Sequence, residues 1–484
     1  MENQETVQTE ELQENLQQSF ADKVKAYAKA TFAFVKKWEI FFFLALISVF
    51  AVILRVKLFD YWSGDMWGAL VPWFESIDRY GGLWGVGKLY AEGVPADILA
   101  KYPGSYNCDY APTYLYFLAI LTAFNGAPMV LIKWLSVIFD FVLALFAGLI
   151  VRHFKKSDTA FALTFSAVLF LPAVFLNSAV WGQCDQMYVA FILMSLYCML
   201  KEKPRACMAT FAFAFALKIQ AVFFLPVLVL AVAKGKLPLW SVFFAALTYF
   251  ITGLPAMMGG ATFKQAYFTF VMQMDRFPAL TLQAPNLYTW IGYLAPDNIH
   301  RNALSSGMTF GSIAITGIAM LPLYRAKFDI KDDGVWLMIT AFFAAFMPFI
   351  MPHMHERYWF LSDIALLIIL VLNHKKWLPC VALMGGSLYV VMMYLYQTNF
   401  LSVAQVSIFM LLGLFGLGQM LMERVKQITV GEEDPSPLFD RVKQVEEVGA
   451  EPQVEEPTEA VAEEPTETVA ELSTEETAKE TENA

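Results

Sequence analysis

Apolar runs close to the roughly 20 residues needed to cross a hydrocarbon core recur along this chain, and the polar gaps between them alternate in kind. Basic clusters such as Arg152-His153-Phe154-Lys155-Lys156, Lys201-Glu202-Lys203-Pro204-Arg205, Lys234-Gly235-Lys236 and His374-Lys375-Lys376 alternate with polar, aromatic motifs. Short basic loops stay cytoplasmic, so this alternation sets a topology. We expect spans at Glu39 to Leu58, Met129 to Val151, Thr159 to Ser178, Gln186 to Leu200, Leu239 to Met257, Asn302 to Tyr324, Val335 to Met351, Tyr358 to Leu372, Trp377 to Tyr396 and Leu401 to Leu421. Two shorter runs, Ala206 to Leu217 and Ile219 to Ala233, are expected to form a half-height hairpin, giving about twelve helices. Thr113 to Phe124 is too short to cross. We place it flat at the outer interface, since counting it as a span would put the Arg152 to Lys156 cluster outside.

The expected class is an all-α integral membrane bundle with both termini cytoplasmic and a large extracytoplasmic first loop, residues 59 to 128. Composition agrees: 484 residues, 58% hydrophobic and 16% charged, too apolar for a soluble chain of this size. The net charge of -10 comes from the end of the chain. Gly431 to Ala484 carries 18 Asp and Glu against 3 Lys and Arg, a net of -15, so the remainder carries +5. Residues 426 to 484, with repeated Glu-Glu-Pro-Thr-Glu units, read as a disordered acidic cytoplasmic tail. Residues 1 to 38 read as a polar tail that becomes a basic amphipathic helix lying on anionic lipid. No cleavable signal peptide is expected among them. The central unit is 39 to 425. No basic patch with stacking aromatics appears in a soluble segment, so no nucleic-acid partner is expected. The five cysteines form no CxxC pair. Cys108 and Cys184 fall on the same side, which leaves a disulfide between them open.

The first loop carries Ser63-Gly64-Asp65, followed by Trp67, Trp73, Phe74 and Trp84. A lone carboxylate leading a Trp-rich segment at a membrane surface can serve as an acid or base beside a lipid-borne substrate. The plain alternative is a helix N-cap, a favoured place for Asp. Charged residues inside spans are costly and point to function. Lys133 and Asp140, two turns apart on one helix, read either as a structural pair or as part of a site. Lys218 and Gln220 sit at a helix break, where a cation suits a phosphate. His353, His355, Glu356 and Arg357 form the third set. His-x-His is a metal pattern, but a site wants three or four ligands and few other His or Cys lie on that side, so no metal is expected. An anion clamp built on His355 and Arg357 fits better, with snorkelling interfacial charge as the alternative. No Gly-rich phosphate loop, GxSxG or HExxH motif is present, nor is a cytoplasmic Asp-x-Asp. What remains suits a reaction on a lipid monophosphate.

Several motifs taken in order resemble the polytopic glycosyltransferases of the GT-C superfamily, over about residues 39 to 425. The nearest likeness is to bacterial mannosyltransferases related to the second GPI-anchor mannosyltransferase; the dolichyl-phosphate-glucose glucosyltransferases are more distantly similar. Gly64-Asp65 with Trp73 resembles the family's first-loop motif, and Asp109-Tyr110-x-Pro112 with Tyr114 and Tyr116 its Asp-Tyr-Pro-Pro stretch. Lys133 with Asp140, Trp181-Gly182-Gln183-x-Asp185, Lys218-x-Gln220 with Pro226, Ala284-Pro285-Asn286-Leu287 and Met354-His355-Glu356-Arg357-Tyr358 complete the set. Met66 and Ala111 depart from it, standing where relatives often carry Tyr and Pro.

The resemblance implies an inverting transferase that moves a hexose, mannose by family label, from a polyprenyl-phosphate sugar to a glycan or glycolipid acceptor. The reaction would take place on the outer face of the plasma membrane, with no metal or other cofactor. Asp65 would be the general base. His355, Arg357 and Lys218 would hold the donor phosphate. Asp109, Tyr110, Trp181, Gln183, Asp185, Gln220, Asn286 and His353 would bind substrate. Two other classes fit the same geometry: a lipid-linked-sugar transporter or flippase, though internal repeats are not evident, and a surface-polysaccharide polymerase or ligase.

Overall fold

The computed structural model describes residues 23–25, 27–29, 31, 34, 36–270, 279–294, 301–397 and 399–429, with the backbone alone at 292–294 and 301–305. The expected N-terminal polar tail and nearly all of the acidic tail lie outside the described residues. The described positions between Lys23 and Lys37 are helical and exposed.

The fold is all-α, and its long apolar helices make it a multi-pass membrane protein. The principal helices are α1 (Glu39–Lys57), α2 (Pro128–Lys155), α3 (Asp158–Leu169), α4 (Asp185–Leu200), α5 (Pro204–Leu217), α6 (Val242–Met258), α7 (Arg301–Arg325), α8 (Asp333–Ile350), α9 (Phe360–Leu372), α10 (Trp377–Tyr396) and α11 (Val403–Gln427). Among the described residues, seven are long and apolar enough to cross a bilayer alone: α1, α2, α6, α7, α8, α10 and α11. An eighth is counted if α3 and Pro172–Trp181, bent by 49° at their junction, form one span. The expected spans at α4 and α9, and both arms of the hairpin, are helical but shorter, so the count of twelve is not reached on length. The helices run close to the bounds expected from the sequence, and it is their own length that falls short of a span. Pro172 and Pro204 each sit at a helix start, where the missing N–H costs nothing.

Helices α2 and α8 are the most buried of the seven, whereas α1, α6 and α7 leave most of their surface free. Apolar helices with free faces are what a bilayer tolerates, since lipid satisfies the side chains and the helix its own backbone. One end of the bundle gathers the basic clusters. His153 Nε2 lies 2.6 Å and Lys236 Nζ 3.1 Å from Asp333, Arg424 lies 2.5 Å from Asp332, and Lys376 lies 2.9 Å from Glu423. The grouping of basic ends expected from the sequence is thus met within the molecule.

The first loop is no open excursion. Short helices at Val71–Arg79, Gly85–Glu92, Ala96–Lys101 and Pro112–Leu121 bury Trp73, Ile77, Val86, Leu89 and Ile98. Trp73 Nε1 donates to the Tyr106 carbonyl at 2.9 Å. All five cysteines are free thiols, so Cys108 and Cys184 are not joined.

Lys133 and Asp140 do not pair with each other. Asp140 binds Arg55 of α1 at 2.7 Å and accepts from Ser178 Oγ at 2.5 Å. Arg55 is fully buried and also donates to the carbonyls of Leu169 and Ala51. Lys133 Nζ instead holds the carbonyls of Phe59 and Tyr61, at 2.7 and 2.6 Å, where the chain leaves α1 for Asp65. A buried ion pair is retained only while both partners stay, because a lone buried charge costs several kcal/mol. Asp140→Asn is therefore expected to destabilise the fold by about 3–5 kcal/mol, whereas the Arg55→Met/Asp140→Leu double change should be milder. Thermal melting in detergent checks the ranking.

Candidate functional site

At the end of the bundle away from the basic clusters, four distant stretches converge on Asp65. It stands at the N-terminus of a π-turn, Met66–Leu70, yet its side chain makes no capping bond. Ser63 does that work: its Oγ accepts from the Met66 N–H at 3.1 Å and donates to the Trp181 carbonyl at 2.7 Å. The Asp65 carboxylate turns instead to the second stretch, where its Oδ2 accepts from Trp181 Nε1 at 2.8 Å and from Gln183 Nε2. Arg357 Nη1 stands 3.6 Å from the same oxygen. The Asp65 side chain keeps 27% of its surface exposed, so a ligand can reach it.

The tight turn at Trp181 to Asp185 supplies these donors. Gly182 has φ 74° and ψ 24°, a left-handed conformation that suits glycine. A Cβ there would lie 2.2 Å from Met66 Cε. Gln183 also accepts from Tyr110 O–H at 3.2 Å, tying the third stretch to Asp65. Trp181 is fully buried. Its ring stacks on Tyr394 at 4.6 Å and carries the Arg357 guanidinium 4.8 Å from its centroid.

The cations are set by Asp185, which has no exposed surface. Lys218 Nζ lies 2.5 Å from its Oδ1 and Arg357 Nε 3.6 Å from its Oδ2, while Asn177 Nδ2 donates to that second oxygen at 2.9 Å. Glu356, also buried, contacts Arg357 Nη1 at 3.1 Å and His355 Nδ1 at 3.7 Å. The His355 to Arg357 segment is held by a short parallel strand pair, β1 (Thr281–Leu282) and β2 (Met354–His355). His353 beside it has φ 61°, and Gln283, bridged to His355, has φ 59°. Non-glycine residues in this region store strain where the surroundings over-determine them. The His353 N–H and Nδ1 are both pinned, to the carbonyls of Leu280 and Ala279 at 2.8 Å.

These groups surround a cavity of about 420 Å³. Its lining includes polar side chains: Asp65, Asp109, Lys218, Gln220, His355 and Arg357. It also includes apolar ones: Val222, Phe223, Phe270, Leu282 and Met351. Tyr110 and His353 also line it. Trp181, Gln183, Asp185 and Asn286 do not; they stand behind the wall. Asn286 is fully buried. It accepts from the N–H groups of Tyr288 and Thr289 and donates to the Met351 carbonyl. Glu356 and Tyr394 line the cavity too. Glu356 was legible within the His-Glu-Arg motif, whereas Tyr394, one aromatic in the apolar α10, carried no signal. Among the described residues no three His, Cys, Asp or Glu side chains form a group suited to a metal ion.

Compared with known proteins, the chain matches no protein-family model and no curated protein.

Burial pulls the His355 imidazole below its usual value of 6.5, Arg357 adds to that, and Glu356 opposes it. The folded protein thus binds a proton here less readily than the unfolded chain, so folding should weaken as pH falls below about 6.5. Melting curves from pH 7 to 5 should flatten in His355→Gln. Separately, Gly182→Ala is expected to cost roughly 1–2 kcal/mol for its left-handed backbone and to push Met66 against the Asp65 turn. A melting temperature equal to the parent's would show that the turn accepts a side chain.

Proposed function

We propose that this chain is a GT-C-type glycosyltransferase that takes a hexose from a polyprenyl-phosphate sugar and passes it, with inversion, to an acceptor hydroxyl on the outer face of the membrane. The observation that carries the reading is the cavity itself, whose lining combines the Asp65 carboxylate, 3.6 Å from Arg357, with both cationic and apolar side chains. Its volume falls within the usual 300–1,000 Å³ of ligand sites. A lipid-borne sugar phosphate likewise combines a charged head with an apolar chain. The prenyl chain lies on Val222, Phe223 and Phe270, and the sugar phosphate lies among Lys218, His355 and Arg357.

Asp65 takes the proton from the acceptor hydroxyl as that oxygen attacks the anomeric carbon. Trp181 and Gln183 donate to Oδ2 and leave Oδ1 as the oxygen that receives the proton. A carboxylate held this way is a preorganised base, with no water to rearrange during the step. Asp109, Tyr110 and Gln220 line the space a sugar ring would occupy. Transport fits the arrangement less well. A transporter needs a midplane site open in turn to both sides, and the opposite end here is stitched by the Asp333 and Asp332 ion pairs.

The test is transfer by purified protein from a radiolabelled polyprenyl-phosphate hexose to extracted surface glycan or glycolipid. A positioned base is worth about 10²- to 10⁴-fold, and Asp65→Asn should lose that much with its melting temperature unchanged. Full activity in this variant would remove Asp65 from the chemistry, and translocation of label without new glycosidic bonds would favour transport.

A further inference from the structure

Arg357 is 91% buried on its side chain, lines the cavity, and is surrounded by acidic groups without being satisfied by them. A guanidinium has five N–H donors. Among the carboxylates of the described residues, only Glu356 comes within hydrogen-bond reach of it, at 3.1 Å; Asp65 and Asp185 each stand off at 3.6 Å. Among the described residues, Arg357 Nε has no hydrogen-bond partner at all. That Nε is turned toward buried Asp185, but the guanidinium lines the cavity, and a guanidinium is a donor set that oxyanions such as phosphate recognise. Asp65, Asp185 and Glu356 place three carboxylates against two cations, Arg357 and Lys218, so the resting cluster has no positive charge to spare for the dianion that forms when phosphate leaves.

We infer that Arg357 is handed from Asp65 to the leaving phosphate, so that proton transfer and phosphate departure are coupled through one guanidinium. The inference rests on the transferase reading given above. As the acceptor O–H proton moves to Asp65, the acceptor oxygen forms its bond to the anomeric carbon. The anomeric C–O bond to phosphate breaks, and its electron pair stays on the phosphate oxygen. Asp65 goes from anion to neutral acid while the phosphodiester monoanion becomes a monoester dianion. Total charge is conserved; what moves is the negative charge, from one side of Arg357 to the other. The guanidinium loses its attraction to Asp65 at the moment its charge is needed by the phosphate. That strengthens its contact in the transition state relative to the ground state, which is the only kind of binding that speeds a chemical step.

The coupling has a consequence that does not depend on turnover. In Asp65→Asn, which mimics the neutral acid, Arg357 is already released, so a short-chain prenyl phosphate should bind about tenfold tighter than to the parent. Simple removal of a nearby negative charge would also tighten binding, and a double-mutant cycle separates the two. Isothermal titration of that probe into the purified full-length protein, D65N, R357A and the D65N/R357A double variant supplies the four affinities. The tenfold gain should shrink to less than about twofold in the R357A background. Where R357A does not fold, as judged by melting, R357K replaces it and should keep only part of the gain. Equal affinities for the parent and D65N, or an undiminished gain without the guanidinium, overturn the coupling while leaving Asp65-dependent transfer intact. If the prenyl phosphate binds none of the four proteins, the donor-phosphate assignment fails and the coupling fails with it.

Discussion

A fully buried carboxylate, Asp185, holds the site in register. It carries no exposed surface, yet it sits between Lys218 from a helix break and Arg357 from a strand-bound loop. Two unit charges about 3.6 Å apart attract by roughly 4–5 kcal/mol at an effective dielectric of about 20. Desolvation of buried ions opposes that gain. The pairing is therefore better read as positional than as a source of stability. It ties Asp185 to Arg357, more than 170 residues further along the chain, and leaves Arg357 Nε without a hydrogen-bond partner. Asn177 keeps the second Asp185 oxygen aligned, so the carboxylate cannot rotate toward one cation at the expense of the other.

Asp65 depends on the same turn from the other direction. Trp181 and Gln183 reach its Oδ2 because Gly182 permits a left-handed backbone between them, and Ser63 binds the Trp181 carbonyl so that the two loops move as one. Behind them Lys133 clamps the carbonyls at the end of α1, and Arg55 with Asp140 joins α1 to α2. The charges inside the membrane helices thus serve the site through its supports. That resolves the choice left open for Lys133 and Asp140: each is structural, but with a different partner than sequence spacing offered.

Much of this was legible in the residues, for identifiable reasons. Asp65, Lys218, His355 and Arg357 were conspicuous because charge is expensive near a hydrocarbon core. A residue that resists burial must have a partner or a task. Trp181, Gln183, Asp185 and Asn286 were visible as polar groups in tight motifs, but their position behind the cavity wall was not, since a motif gives spacing and not depth. Arg55 escaped notice for a related reason: at the end of α1 it looks like an interfacial anchor, and only the packing of α1 against its neighbours buries it. Tyr394 had nothing to distinguish it from other aromatics in an apolar helix.

The sequence by itself determined that the chain is helical and membrane-embedded, because the length and composition of its apolar runs leave the backbone no other way to satisfy its hydrogen bonds. It also determined which end of each helix is basic. Tertiary structure alone decided that the run expected as one span from Thr159 to Ser178 bends by 49° ahead of Pro172. It alone decided that Asp65 turns away from capping, that Asp140 takes Arg55 rather than Lys133, and that Arg357 stands between three carboxylates. Each is a choice among partners of similar chemistry, and such choices are settled by distance, which no linear spacing between residues contains.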